Sequence, residues 1–495
     1  MRKSIWLLLS LILVSSLILA ACGGGAAPEA PADEPAAPAD EPADEPADEP
    51  ADEPADEPAM EEKTVLNVWS FTNEIRTMAV AFEGRYPNVD VVYTMIPMTD
   101  GEYQTKIKAA VGTADAPDVV ALEAAFVKEW VEADILADLN DLLPLTEELQ
   151  TFPFAVETAT YNGVTKGYSY QATPGAFEYR RSIAKECLGT DDPEAVQAMV
   201  ADMDKFVETA AKIKECNENY FMVGTSGALF NPFLANRSQP WIVDDTLVID
   251  PVFIEYVKFA KLMRDNGYES QAGQWSEGWF AGMNDTLAAA DGTPQKIFSY
   301  FLPTWGLPYV LIPNSTSDTT DTGGDWAMIQ GPLPYQWGGT WVGVLDGSPN
   351  MDLAKEFVKF VALDEENLTN WATGVYTNEY LKAIDPEVPD DQQQPPGDFV
   401  SSQVVVEKIT PEFDGSAIYE WLGGQNNYEA FGEVAPNVNG KLLTGSDDAI
   451  QRAFEDARDS YLAGDITEAE MWQQWLDAVR SEFPDLTIPE PPVTE

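Results

Sequence analysis

The chain has 495 residues, with 84 acidic against 28 basic side chains, a net charge of −56 and no histidine. That balance excludes nucleic acid as a partner, because phosphate contact needs a basic surface. The missing histidine removes Ser-His-Asp and Cys-His catalysis, histidine-ligated zinc and histidine general bases together.

Met1-Arg2-Lys3 is a short basic start, and Ser4 to Leu19 is a nearly unbroken apolar run. The run suits a signal-peptide core and falls short of the roughly 20 residues that span a bilayer. Leu19-Ala20-Ala21-Cys22 resembles the lipobox of bacterial lipoproteins. The resemblance implies removal of residues 1–21 and lipidation of Cys22; the alternatives are a plain secretory signal or an uncleaved anchor. Residues 22–62 follow as a spacer, with Pro-Ala-Asp-Glu repeated from Ala26 to Pro58 and no aromatic or β-branched residue to build a core. Proline and like charge extend it, at ~3 Å per residue, to about 100 Å. Its acidity repels anionic head groups, and it is read as a spacer that binds nothing itself. No second long apolar run follows, so the body is expected to be water-soluble.

The body is too large for one ordinary core, which suggests two lobes. Val65 to Ser70 reads as a buried strand, and Phe71-Thr72-Asn73-Glu74 as a loop. A helix carries Ile75, Met78, Ala79, Phe82 and Tyr86 at helical spacing and stops at Pro87. Val89 to Ile96 is a second strand, Tyr103 to Val111 a helix, and Asp118 to Leu122 a third strand closed by Glu123. This alternation predicts a parallel α/β sheet. Ligands bind beyond the carboxyl ends of such strands, which points to Phe71–Glu74 and Glu123–Phe126. Ala195 to Lys214 reads as one helix between Cys187 and Cys216. That even pair is expected to be oxidised in an extracytoplasmic compartment; two separate buried thiols are the alternative. Ser315 to Asp325 lacks EF-hand spacing and reads as a solvated loop. A helix with Leu353, Phe357, Phe360 and Val361 on one face takes Ser348 or Asn350 as its cap. Near the C-terminus one helix carries Ile450, Phe454 and Ala457, and another opens with a Thr467-Glu470 capping box.

Several segments in order resemble family 1 extracellular solute-binding proteins, the maltose-binding-protein-like receptors of ABC importers. They are Val65–Ser70, Phe82–Val89, Ala116–Val120, Gly163–Tyr170, Phe177–Arg181, Gly338–Trp341 and Ala354–Phe360. Arg180 stands where the family usually has Asn. The resemblance implies an α/β fold of two lobes, each a mainly parallel sheet flanked by helices, with ligand at the hinge. It divides the body into 63–169 and 337–410 for one lobe, and 170–336 and 411–495 for the other. It also implies a monomer without cofactor or metal, delivering a small solute to ABC permease subunits. The membrane is met through the lipid anchor alone, on the extracytoplasmic side.

Sugars offer flat apolar faces ringed by hydroxyls, so aromatics, carboxylates and amides are the expected contacts. Tryptophans outside helix stripes are Trp275, Trp279, Trp305, Trp337, Trp341 and Trp421. Trp305, Trp341 and Trp421 rank highest among them, while most tryptophans in a large protein are core. Glu74 and Glu123 are the carboxylate candidates, or else solvated loop charges. Tyr168, Tyr170 and Gln171 lie at the presumed hinge, as ligand contacts or as hinge packing. Gly339, with Gly338, suits close backbone approach. The reading is a saccharide receptor rather than an enzyme. Peptides and polyols are the other solutes to weigh, and a two-carboxylate glycoside hydrolase is the competing class.

Overall fold

The computed structural model describes residues 63–390, 392–394 and 396–493. The signal segment, Cys22 and the whole spacer therefore lie outside the described residues. Nine strands build the two larger sheets: β1 Thr64–Ser70, β2 Val89–Met95, β3 Val119–Glu123, β4 Tyr168–Ser169, β5 Gly175–Arg180, β6 Tyr220–Val223, β7 Lys296–Pro303, β8 Trp326–Ile329 and β9 Thr340–Val344.

In β1, Leu66 and Val68 are fully buried and alternate with Asn67 and Trp69, which are half-buried. The helix Asn73–Arg85 follows at once, started by the Thr72 hydroxyl, which accepts from the Glu74 N–H. It buries Ile75, Met78, Ala79 and Phe82. Each large apolar side chain so buried contributes roughly 1.5–3 kcal/mol. Strand order in the first sheet is β2-β1-β3-β9-β4. The helices Asn73–Arg85 and Met351–Leu363 cover one face, where Phe82 meets Phe357 and Phe360 edge-on at 5.2 and 5.3 Å. The helices Glu102–Ala110 and Val127–Glu132 cover the other, around Tyr103, Ile107, Val120 and Leu122.

The second sheet runs β8-β5-β7-β6. Phe177 and Tyr179 of β5 enter a core made with the helices Met203–Cys216, Pro251–Asp265, Asp447–Ala463 and Glu468–Glu482. The last helix opens with a capping box in which Thr467 and Glu470 satisfy each other's backbone N–H.

Three expectations change, and a fourth, the Asn350 cap, holds in position alone. The sheets are mixed rather than mainly parallel. β1 pairs in parallel with β2 and β3, but β9 returns antiparallel to β3 and β4. In the second sheet β5 is antiparallel to both β7 and β8, and only β6 and β7 are parallel. A strand that re-enters a sheet after visiting the other lobe needs no right-handed crossover, so nothing forces it parallel. The segment Ala195–Lys214 is two helices, Pro193–Met199 and Met203–Cys216, because the Asp202 carboxylate accepts from the Lys205 N–H at 2.8 Å and starts a new helix. The loop Ser315–Asp325 is tucked in, with Ser315 and Thr322 buried. The Thr322 hydroxyl donates to the Met283 carbonyl at 2.8 Å and accepts from Trp326 Nε1 at 3.0 Å. The helix Met351–Leu363 has Asn350 at its cap position without a side-chain cap bond, and Ser348 Oγ accepts from the Asn350 N–H at 3.1 Å.

Three extended segments lie side by side where the chain passes between the sheets. Ala172 donates to the Phe399 carbonyl at 2.9 Å, Ser401 to Tyr170 at 2.9 Å, and Gly175 to Tyr335 at 2.8 Å. The segment 170–175 is thus the middle of a narrow hinge flanked by 335–338 and 398–401. Gly175 permits it: a Cβ there would fall 2.0 Å from the Tyr335 ring.

Cys187, in the helix Arg181–Leu188, is bonded to Cys216 at the end of Met203–Cys216, with Cα atoms 5.4 Å apart. The bridge closes 29 residues of chain, a constraint on the unfolded ensemble equivalent to about 3–4 kcal/mol. A Cys187→Ser, Cys216→Ser double variant is expected to lose stability of that order in urea denaturation; an unchanged midpoint would contradict it.

Candidate functional site: the cleft at the strand ends

The parallel strands β1 and β3 end on the same side of the first sheet and deliver their loops together. Ser70 Oγ accepts from the Thr72 N–H at 3.1 Å and turns the first loop, and the Phe71 ring lies edge-on to Tyr103 at 5.5 Å. In the second, Glu123 accepts from the Ala125 N–H at 2.7 Å. The Ala124 N–H reaches the Gly339 carbonyl at 3.1 Å, tying this loop to the hinge.

A cleft opens along these loops in two compartments that meet at Glu123 and Gly338. The first is a cavity of about 500 Å³ into which Glu74, Gln171, Trp305, Tyr309 and Gln394 project. The second is walled by Lys128, Arg237, Gln336, Trp337 and Asp447. Trp305 and Trp337 form the wall shared between them, rings 5.2 Å apart and edge-on, with Trp305 Nε1 donating to the Trp337 carbonyl at 3.0 Å. Gly338 has φ +72°, and a Cβ there would stand 2.7 Å from Trp305 Nε1, so only glycine lets the indole lie on this backbone. Trp275 extends the aromatic wall outward, 6.4 Å from Trp305 and nearly parallel to it.

Glu74 is held by a network rooted in the hinge. The Tyr170 hydroxyl donates to Glu74 Oε2, and Gln171 Nε2 reaches Glu74 Oε1 at 3.5 Å. The same Gln171 nitrogen donates to Asp398 Oδ2 at 3.1 Å, an oxygen that also accepts from Trp371 Nε1 at 2.6 Å. Gln171 therefore joins the first-lobe loop to two of the three hinge segments. Burial, reinforced by the Asp398 charge, pushes the Glu74 carboxyl up to about 7. Burial pushes Glu123 up to about 7 as well, and raises Asp398.

These carboxyls hold protons in the folded state that they release in the unfolded chain above their ordinary value near 4.5. Their contribution to stability is thus present below that value and is lost as pH rises through about 7. Glu74→Gln, which cannot ionise, is expected to gain melting temperature relative to the wild type between pH 5 and pH 8. A difference that stays constant over that range would contradict the raised carboxyl.

In the second compartment the basic groups are already engaged. Arg237 Nη2 donates to the Leu442 carbonyl at 2.5 Å and to Asp447 Oδ2 at 2.6 Å, and Lys128 Nζ to the Thr160 carbonyl at 2.5 Å. Two contacts join the walls here: the Gly445 N–H donates to Glu132 Oε2 at 3.2 Å, and Lys441 lies 3.3 Å from Glu157.

The structure thus brings Glu74, Glu123, Gln171, Trp305 and Gly339 together around one cleft. Tyr170 stands behind it, buried, with its hydroxyl on Glu74. Three candidates belong elsewhere. Trp341 is 1% exposed and donates to the Ala155 carbonyl at 2.6 Å, so it is core beneath the cleft floor. Tyr168 is buried on the same sheet and donates to the Leu139 carbonyl at 3.0 Å. Trp421 lies parallel to Trp326 at 6.0 Å and donates to Ser315 Oγ at 3.2 Å, pinning the tucked loop. Sequence reasoning missed Tyr309, Gln392–Gln394, Lys128 and Arg237. Gln392 Nε2 donates to the Asn73 carbonyl at 2.8 Å across 319 residues, a closeness that no local pattern announces.

Residues 77–393 match the model of a family described as bacterial extracellular solute-binding protein. The chain belongs to that family. Solved structures agree on the two-lobed α/β architecture. One is an extracellular solute-binding protein of family 1, at TM-score 0.67 and 17% identity, the match covering 85% of this chain and 100% of that one. A second is the ABC transporter associated binding protein from B. animalis subsp. lactis in complex with β-1,6-galactobiose, at 0.60 and 19%, covering 86% and 100%. A third is the sugar-binding protein MalE from Xanthomonas citri, at 0.62 and 14%, covering 85% and 97%. The family and these neighbours are binding proteins rather than enzymes, and the family description places this solute-binding protein outside the cytoplasm.

Proposed function

We propose that this solute-binding protein is the lipid-anchored receptor of an ABC importer for a saccharide. The observation that carries the reading is the cleft wall itself. The Trp305 and Trp337 rings stand beside Glu74, Glu123 and Gln171 at the ends of β1 and β3. Apolar ring faces next to directional acceptors are what a sugar's flat faces and hydroxyl rim require. The β-1,6-galactobiose held by one neighbour and the sugar-binding description of the other support the same class. Cys22 would carry the anchor and the acidic spacer would hold the body off the membrane. The lobes are read as 63–169 with 337–410, and 170–336 with 411–495. A ligand touching both walls would favour the closed arrangement, in which contacts such as Gly445–Glu132 form, and the permease would read that arrangement in a single receptor molecule.

A thermal-shift screen of the full chain against saccharides, polyols, amino acids and peptides tests the class. A ligand at 100 times its Kd adds about 2.7 kcal/mol and raises the melting temperature. Hits confined to peptides or polyols would discard the saccharide. Cleavage of a bound saccharide during incubation would make the protein a hydrolase instead.

A further inference from the structure

We infer that Trp275 is a third contact surface for the ligand, outside both compartments, on which a further ring of a longer saccharide lies. The inference rests on the saccharide reading of the cleft and adds a residue that senses the ligand's length.

Folding alone does not account for this side chain. Trp275 is exposed over 48% of its surface, alone among the described tryptophans. Its backbone has φ +67°, in the left-handed region that bulky side chains avoid. The residue is the third of a tight turn, Gly273 to Ser276, closed by the Ser276 N–H on the Gly273 carbonyl at 3.0 Å. A turn with positive φ at that position alone ordinarily places glycine or asparagine there. Gln271, four residues earlier, is also left-handed at φ +63°. The loop is nevertheless fixed at both ends. The Ser270 N–H donates to the Val223 carbonyl at 3.2 Å, and the Ser276 hydroxyl accepts from the Trp279 N–H at 3.2 Å to start the helix Glu277–Met283.

What the strained turn secures is the position of the ring. The Trp275 indole lies within 6° of parallel to Trp305, centroids 6.4 Å apart, and stands 5.9 Å from Trp337. Trp279 and Phe280 pack on it at 5.2 and 6.2 Å, so it is held in place before any ligand arrives. Trp305 and Trp337 line the compartments, whereas Trp275 lines neither. A saccharide that continues out of the cleft past Trp305 therefore meets a second indole in the same orientation. A disfavoured backbone kept to present a half-exposed aromatic face suits a binding residue better than a core residue.

A length series tests this. Oligosaccharides of increasing length, α-1,4-gluco, β-1,4-gluco and β-1,6-galacto, from the disaccharide upward, are titrated calorimetrically into the full chain, Trp275→Gly and Trp275→Ala. In the series that binds, the variant-to-wild-type Kd ratio is expected to stay near one for the shortest binder. It should rise to about tenfold once an added ring reaches Trp275. In urea, Trp275→Gly is expected to unfold no earlier than the wild type and later than Trp275→Ala, since glycine relieves the left-handed turn and alanine does not. A raised ratio that is equal at every length would make the ring a prop for Trp305, and a ratio of one throughout would leave it without a part in binding. Either result overturns the third surface and leaves the saccharide reading intact. A Trp275→Gly midpoint well below the wild type would assign the indole to the fold and overturn the inference too. No binding by any saccharide, in this panel or in the thermal-shift screen, overturns that reading and the inference with it.

Discussion

Trp305→Ala is expected to weaken saccharide binding by about 2–4 kcal/mol, roughly 30- to 1,000-fold in Kd, while the chain stays folded. The ring is half-buried against Trp337, Trp275 and the Gly338 backbone, so its orientation is set before any ligand arrives. A rigid aromatic wall at the junction of two compartments is where truncation removes most contact area. The loss should appear in titration calorimetry as a raised Kd with a smaller heat-capacity change, because less apolar surface is buried. Circular dichroism should show the same secondary structure as the wild type. An affinity within threefold of the wild type would place the ligand away from this wall.

Trp341→Ala is expected to do the reverse. Its indole sits 1% exposed in the core beneath the cleft, among Val120, Leu122, Tyr103 and Trp130. Truncation leaves a cavity and strips the Ala155 carbonyl of the Nε1 donor at 2.6 Å, a loss of about 3–5 kcal/mol in urea denaturation. Ligand affinity measured well below the melting temperature should change little. A large affinity loss with unchanged stability would move this ring into the cleft. The two tryptophans lie 36 positions apart in the chain. They test whether the cleft is bounded by the hinge face of β9 or lies beneath it.

Why the sequence ranked these residues together is a matter of burial on both faces. Alternation along a strand reports which side faces water only when one side does. β9 is buried at all five positions, so Trp341 carries no directional signal. Trp305, beyond the end of β7, follows Pro303 and escapes the sheet. The strand-end argument fared better because it depends on order rather than on facing. The ends of β1 and β3 must come together in a parallel pair, and so Glu74 and Glu123 reach one cleft. The Thr467–Glu470 capping box was legible because its partners are three residues apart. Gln392–Gln394 were not, since their place beside Asn73 and Thr77 follows from the packing of the whole first lobe. Arg237 and Lys128 gave no signal for a similar reason: each is a lone basic residue until the second compartment assembles around it.

The account stands most directly on one titration. The saccharide giving the largest melting shift is titrated into the wild type, Trp305→Ala and Trp341→Ala, each confirmed folded at the working temperature. The account predicts saturable single-site binding to the wild type, at least a 30-fold weaker Kd in Trp305→Ala, and near-wild-type affinity in Trp341→Ala. Full affinity in Trp305→Ala, or heat that never saturates in the wild type, would contradict a saccharide bound in this cleft.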